Sequence, residues 1–208
     1  MYKFFVKRIL DFTASLIMIL MISPIFLFIT FFLFFANNGK PFFVQKRPGK
    51  NEKIFEILKF KTMNDKKDEQ GNLLPDKDRL TSIGTFLRRT SLDEIPQLIN
   101  VLRGEMSFIG PRPLLIQYLP YYKENEKIRH SILPGITGLA QVSGRNLLSW
   151  DARLAADVEY VKRISFILDV EILIKTIQNV ITSKDIVVDP ESIMPNLKDE
   201  RSTGLVKK

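Results

Sequence analysis

The sequence predicts an α/β protein, mostly helical with a short β-hairpin. An N-terminal apolar helix precedes one compact domain, and that domain carries amphipathic helices suited to an interface. Three observations carry this reading. Residues 12–36 are an uncharged run of 25, dominated by Phe, Ile, Leu and Met. Two β-rich stretches flank Pro48-Gly49. Much of the remaining chain places apolar residues at helical spacing between polar or Gly/Pro-rich connections.

The apolar run comes first. As a helix, 25 residues measure about 37 Å, enough to cross a hydrocarbon core about 30 Å thick. It is too long for a cleaved signal, and Ala36-Asn37-Asn38 is a poor cleavage site. Ser23-Pro24 falls near its middle, where proline removes a backbone hydrogen bond and favours a bend. Basic residues stand at both ends: Lys3, Lys7 and Arg8 before it, Lys40, Lys46, Arg47, Lys50 and Lys53 after it. A spanning helix is expected to show asymmetry in its flanking positive charge. Two geometries stay open on these residues: a helix that enters one leaflet, bends at Pro24 and returns, and a kinked spanning helix. Lys3, Lys7 and Arg8 are read as attracted to anionic head groups, about 1 kcal/mol each near a surface.

The turn signal Asn37-Asn38-Gly39 leads into residues 41–46 and 53–60, paired as a hairpin about Pro48-Gly49. Residues 64–79 are polar and read as an exposed loop. Residues 83–89 and 96–102 read as short helices, 104–113 as irregular and 114–129 as helix. Residues 134–145 hold three glycines and read as loop. Residues 150–162 read as helix, with Leu154, Val158 and Val161 on one side. The apolar positions 166, 167, 170, 173, 174, 177, 180 and 181 recur at helical spacing. They fit a core-facing helix or an interfacial one. Residues 184–208 read as a polar, loose tail, giving a division into 1–36, 37–183 and 184–208. No internal repeat occurs.

Composition narrows the chemistry. The 208 residues include no Cys and one His, which excludes disulfides, thiolate nucleophiles, iron–sulfur clusters and His-rich zinc sites. The net charge is +8, but residues 1–61 hold ten basic and three acidic side chains, whereas the remainder holds 21 and 20. That distribution disfavours a nucleic-acid binder and leaves carboxylates, Lys, Arg and a hard metal as chemical agents.

Phosphate chemistry is suggested by the density of suitable groups: Arg88-Arg89, Asp93-Glu94, Gly110-Pro111-Arg112-Pro113 and the glycine-rich stretch ending at Arg145. Guanidinium forks suit phosphate oxygens, and glycine lets backbone N–H groups approach an anion. Neither a Walker-type loop nor G-x-G-x-x-G is present. Ser91-Leu92-Asp93-Glu94 also fits a capping box, with acidic residues favoured in a first turn by about 0.3–1 kcal/mol. Pro96 counts against a helix starting at Ser91, since it would fall where its missing N–H costs. A later start would leave Asp93 at the helix mouth. Arg112, fixed between prolines, fits a surface turn or a directed phosphate ligand. His130 reads as a buried or surface hydrogen-bonding residue.

Together these motifs resemble one family. They are Lys7-Arg8-x-x-Asp11, Ser23-Pro24, Gln45-x-Arg47-Pro48-Gly49, Lys59-Phe60-Lys61-Thr62-Met63 and Ser91 through Gln97. Then follow Asn100-Val101-Leu102-x-Gly104, Met106 through Pro113, Pro134-Gly135-Ile136-Thr137-Gly138, Gln141-Val142-x-Gly144-Arg145 and Asp157-x-x-Tyr160-Val161. In order and spacing the chain is similar to the small monotopic phosphoglycosyl transferases, the PglC-like group of bacterial sugar transferases. The resemblance runs from Lys7 to about Ser183.

The resemblance implies an enzyme that moves a sugar 1-phosphate from a UDP-sugar to undecaprenyl phosphate and releases UMP, a first membrane step of glycan assembly. It implies Asp93 as nucleophile through a covalent aspartyl phosphosugar, with Glu94 as its dyad partner. Mg²⁺ would be held at Asp93, with or without Glu94. Lys59, Arg88, Arg112, Arg145 and Asp157 are implied in binding substrate or phosphate. Lys7, Arg8, Ser23 and Pro24 are implied at the membrane interface, with the helix reentrant. The donor expected is UDP-N,N′-diacetylbacillosamine, with UDP-GalNAc or UDP-GlcNAc as rivals. Phospholipid is a further partner, a homodimer or downstream glycosyltransferases are candidate ones, and no nucleic acid is expected. The implied location is the bacterial inner membrane, with the catalytic domain facing the cytoplasm. Glu105, Leu139 and Ser143 depart from the family pattern, and the last two leave the sugar open. The alternative of another class is a non-catalytic adaptor that binds polyprenyl phosphate.

Overall fold

The structure, a computed structural model, describes residues 2–144, 148–182 and 196–205. After a π-helical turn at Tyr2–Val6, helix α1 runs without interruption over Lys7–Ala36. Its length and apolarity suffice to cross a membrane. Pro24 lies inside it. The missing N–H at Pro24 frees the Leu20 carbonyl, and the Ser23 hydroxyl donates to that oxygen at 2.9 Å. The pair Ser23-Pro24 is thus a locally satisfied break in the hydrogen-bond ladder.

Strands β1 (Phe42–Pro48) and β2 (Ile54–Phe60) pair antiparallel, Phe42 opposite Phe60 and Pro48 opposite Ile54, as the Pro48-Gly49 signal predicts. The connection to the next helix stays irregular apart from the short helix α2 (Asp76–Arg79). Helix α3 (Ser82–Arg89) begins at Thr81, whose hydroxyl accepts from the Gly84 N–H. Gly84 is required by proximity: a Cβ there would lie 1.9 Å from the Thr62 carbonyl oxygen. This contact sets α3 against the end of β2.

Helix α4 covers Gln97–Arg103 and ends at Gly104, in the left-handed region at φ +81°. Strand β3 (Ser107–Ile109) pairs in parallel with β4 (Gly135–Thr137), followed by α5 (Leu139–Ser143). Here the structure corrects the expectation of irregular chain at 104–113 and loop at 134–145. The glycines serve close approach rather than looseness, since a Cβ on Gly135 would sit 2.1 Å from the Gly110 nitrogen. Residues 114–129 also differ from the expected helix. They form two 3₁₀ segments, Ile116–Tyr121 with Pro120 inside it and Lys127–Ser131.

Helices α6 (Trp150–Arg163) and α7 (Phe166–Ile181) form as the spacing predicts, each started by a serine hydroxyl that accepts a backbone N–H. Leu168 and Ile172 of α7 enter a core with Ile109, Ile132, Tyr160 and Val161. Phe166, Ile167, Leu173, Ile174, Ile177 and Ile181 stay exposed, so α7 is both core-facing and apolar outside. Within the segment expected to be a loose tail, Leu197–Leu205 forms helix α8 with Leu197 fully buried.

The two ends of α1 meet one domain. Near its start, the Arg8 guanidinium donates to the Val101 and Leu102 carbonyls at 2.7 and 3.2 Å, and Asp11 Oδ1 accepts from the Phe108 N–H at 3.2 Å. Near its end, Ile29 and Leu33 pack with Phe60 and Leu87. Between them, Leu16, Ile17, Met18, Leu20, Met21 and Ile25 are exposed.

The expected head-group role of Lys7 is corrected. Lys7 is buried, and its Nζ lies 2.6 Å from Asp169 Oδ2. Asp169 also accepts from the Tyr2 and Tyr160 hydroxyls at 2.5 and 2.6 Å. Arg8 sits at the carbonyl-rich end of α4, where cations are favoured. Both side chains hold α1 to the domain.

Candidate active site

Strand β2, helix α3, the turn before α4 and the loop after β3 converge. β2 contributes Lys59. Its backbone is held on the unpaired edge by buried Asn100, whose Oδ1 accepts from the Leu58 N–H at 3.0 Å while Nδ2 donates to the Glu56 carbonyl at 2.7 Å. An amide side chain thus completes the ladder that a third strand would supply, and it ties β2 to α4.

The capping-box reading of Ser91 fails. Ser91 takes a left-handed backbone at φ +56° and makes no side-chain cap. Leu92–Glu94 is a single 3₁₀ turn, and the helix starts only at Gln97, directly after Pro96. Proline suits this first-turn position because the N–H it lacks would have no intrahelical partner. The later start, one of the two openings the sequence allowed, leaves Asp93 and Glu94 on a turn facing β2 and Arg112.

The two carboxylates are not equivalent. Glu94 Oε1 accepts from Lys59 Nζ and from Arg112 Nη2, each at 2.7 Å. Burial pushes the Glu94 carboxyl up, but Arg112 and Lys59 outweigh it and hold it well below the usual carboxylate range. Asp93 accepts no hydrogen bond from the described residues. Burial, and then the neighbouring Glu94 charge, push its carboxyl up to about 6, against the pull of Lys59, Arg112 and Arg88. One carboxylate is therefore fixed and ionised, and the other is strained toward whatever relieves it.

Arg112 is positioned through its backbone. Its carbonyl accepts from Arg129 Nη2 at 2.7 Å, and Arg129 in turn pairs with Asp157 Oδ2 through Nε at 3.1 Å and Nη2 at 2.8 Å. Arg129 Nη1 donates to the Tyr122 hydroxyl at 3.1 Å. Arg129 and Asp157 are both 2% exposed. Asp157, expected at the substrate, lies in this ion pair and is linked to Arg112 through Arg129. Arg88 donates through Nε to Thr62 Oγ1 at 3.1 Å, close enough for its charge to act on Asp93. Arg145 lies outside the described residues.

Some site residues carried no role in the sequence. Arg129 lies 28 residues from Asp157, and nothing local marks it; Asn100 stands in a motif of the resemblance but carried no role there. Arg47, half-buried and near Arg112, feels burial and the Arg112 charge, which lower its guanidinium to about 10. A cluster of Lys59, Arg88 and Arg112 about two carboxylates, with Arg47 beside Arg112, is suited to a polyanion. A second feature of the same molecule is a long, exposed apolar helix.

This combination defines a class of protein, one with a carboxylate–cation site suited to phosphorylated substrates beside a membrane-suited helix. The chain belongs to the bacterial sugar transferase family, whose sequence profile matches residues 2–183. It is 48% identical over 181 residues to the uncharacterized sugar transferase EpsL of Bacillus subtilis (strain 168), covering 86% of this chain and 89% of that protein. It is 35% identical over 189 residues to the undecaprenyl-phosphate galactose phosphotransferase of Salmonella typhimurium, covering 83% of this chain and 40% of the relative. A Komagataeibacter xylinus undecaprenyl-phosphate glucose phosphotransferase is 37% identical over 193 residues, covering 86% and 36%. The chain thus spans well under half of these last two proteins.

Proposed function

We propose that the chain transfers a sugar 1-phosphate from a UDP-sugar to undecaprenyl phosphate, releasing UMP. The observation that carries this is the asymmetry of the dyad: Glu94 is bound by Lys59 and Arg112, while the Asp93 carboxylate is strained and free of described hydrogen bonds. Asp93 attacks the β-phosphorus of the donor. The bond from that phosphorus to the oxygen shared with the α-phosphorus breaks, and UMP departs with that oxygen. An aspartyl phosphosugar remains. A phosphate oxygen of undecaprenyl phosphate then attacks the same phosphorus and displaces Asp93, so both substrates use one pocket in turn. Arg112, Lys59 and Arg88 offset the charge of the phosphates, and Glu94 keeps Lys59 and Arg112 aimed at the reacting centre.

Mg²⁺ fits this site as a shared ligand. Among the described residues no cluster of three or more His, Asp or Glu could form a cage. Mg²⁺ is commonly held by one or two carboxylates together with substrate phosphates and water, and Asp93, with Glu94 adjacent, offers that donor set. When bound, the ion would neutralise pyrophosphate charge.

The helix is proposed as reentrant, placing the domain at the cytoplasmic face of a bacterial inner membrane, where nucleotide sugars and the lipid phosphate meet. Supporting this, Arg8 and Asp11 at one end of α1 and Ile29 and Leu33 at the other contact the same domain, with exposed apolar residues between. Opposite-side labelling of single cysteines placed near residues 2 and 40 would refute it.

For the donor, motif resemblance favours UDP-N,N′-diacetylbacillosamine, whereas the galactose and glucose phosphotransferases among the relatives favour galactose or glucose. The deciding experiment measures UMP release with undecaprenyl phosphate and Mg²⁺ over a panel of those three UDP-sugars, UDP-GalNAc and UDP-GlcNAc. One donor should dominate, and Asp93→Asn should abolish release while lipid binding persists. Substantial turnover by that variant removes Asp93 as nucleophile; no release with any donor removes the reaction.

A further inference from the structure

The family match ends at residue 183, yet α8 beyond it returns to the domain. It does so at two points. Leu197 is fully buried in a cluster with Leu114, Tyr118, Tyr122, Trp150 and Leu154, and Leu114 is only two residues from Arg112. One helical turn after Leu197, Arg201 forks onto Glu126, Nη2 to Oε1 at 2.9 Å and Nη1 to Oε2 at 3.1 Å. The same guanidinium reaches Asp151 Oδ1 at 2.8 Å and the Tyr121 carbonyl at 3.2 Å. Glu126 Oε2 also accepts from the Lys123 N–H at 2.7 Å, closing the turn that leads into Lys127–Ser131. That 3₁₀ segment carries Arg129, the donor to the Arg112 carbonyl.

Residues 110–131 hold little regular structure, two 3₁₀ segments joined by turns. Such chain has few backbone hydrogen bonds of its own, so side-chain anchors set its position. The two contacts of α8 supply those anchors, one packing beneath Leu114 and one acting through Glu126 and Arg129. We propose that α8 is a C-terminal clasp, in which Leu197 and Arg201 are positioning residues that hold Arg112 on Glu94. The clasp rests on the transfer reaction proposed above only for its effect on turnover.

The test uses the full chain in lipid nanodiscs. Arg201→Ala should speed amide hydrogen exchange in peptides covering 112–131 by about fivefold or more, leaving the hairpin at 42–60 unchanged. In UMP release, kcat should fall about tenfold with KM within about twofold, and Arg201→Lys should recover part of the loss. In an Arg112→Lys background the same Arg201→Ala change should cost less than about twofold, because its route of action is already cut. Unchanged exchange at 112–131 overturns the clasp. So does a loss of equal size in both backgrounds, which would mean a general effect on folding. If the unaltered chain releases no UMP from any donor, the reaction falls, and the exchange result alone decides whether α8 holds this segment.

Discussion

Replacing Asp93 by Asn should make the protein inactive and, at neutral pH, more stable. Burial and the Glu94 charge hold the Asp93 carboxyl at about 6, above its ordinary value of 3.8. A folded-state value above the unfolded one means that folding favours the protonated form. The ionised carboxylate therefore costs the folded state about 3 kcal/mol at pH 7. Asparagine keeps the shape and removes the charge, so Asp93→Asn should recover a gain of that order. For a chain of this size that corresponds to a rise in Tm of about 6–12 °C. The sign fixes the pH window. The gain is complete above pH 6, shrinks as pH falls through the interval between 6 and 3.8, and vanishes below it. Thermal unfolding of both proteins in the same detergent, read by circular dichroism at about pH 7 and about pH 4, measures it. An Asp93→Asn protein less stable than its parent at pH 7, or a gain indifferent to pH, would refute the account of Asp93 as a strained, uncompensated carboxylate.

Three further outcomes follow from the same geometry. UMP release should decline as pH drops through about 6, since a protonated Asp93 cannot attack phosphorus; a kcat/KM profile flat from about pH 5 to 7.5 would contradict this. Asp169→Leu, which strands buried Lys7, removes the Tyr2 hydroxyl's acceptor and leaves Tyr160 only the Ile109 carbonyl, should destabilise the protein by about 3–5 kcal/mol. Adding Lys7→Met should restore much of that loss in the same unfolding assay. Gly84→Ala should cost about 1–3 kcal/mol or more, because its Cβ would fall 1.9 Å from the Thr62 carbonyl oxygen, and α3 with Arg88 would have to move; soluble yield and Tm would register it.

Much of the architecture is written locally. Apolar run length, helical spacing and Pro-Gly turn chemistry are properties of neighbouring residues, so α1, the β1–β2 hairpin, α6 and α7 are legible from sequence. The dyad and its basic companions are legible too, because their residue types announce phosphate chemistry and their motifs mark a family. Local patterns misled where a residue serves a distant partner. Ser91 imitates a cap but sits in a left-handed turn, and the glycines near 110 and 135 imitate a loop but let two strands touch. Lys7 resembles a head-group ligand, yet it is buried and its partner is Asp169.

By itself, then, the sequence determined an apolar helix, a hairpin and the carboxylates and guanidinium groups that come together. Only the tertiary structure decided which carboxylate is tied and which is strained, because that depends on Lys59 and Arg112 arriving from other elements. It also decided that Asp157 acts on Arg112 through Arg129, and that residues past 196 pack against the segment that carries Arg129. Ion pairs and burial act through space, and sequence spacing records them only when both partners share one element.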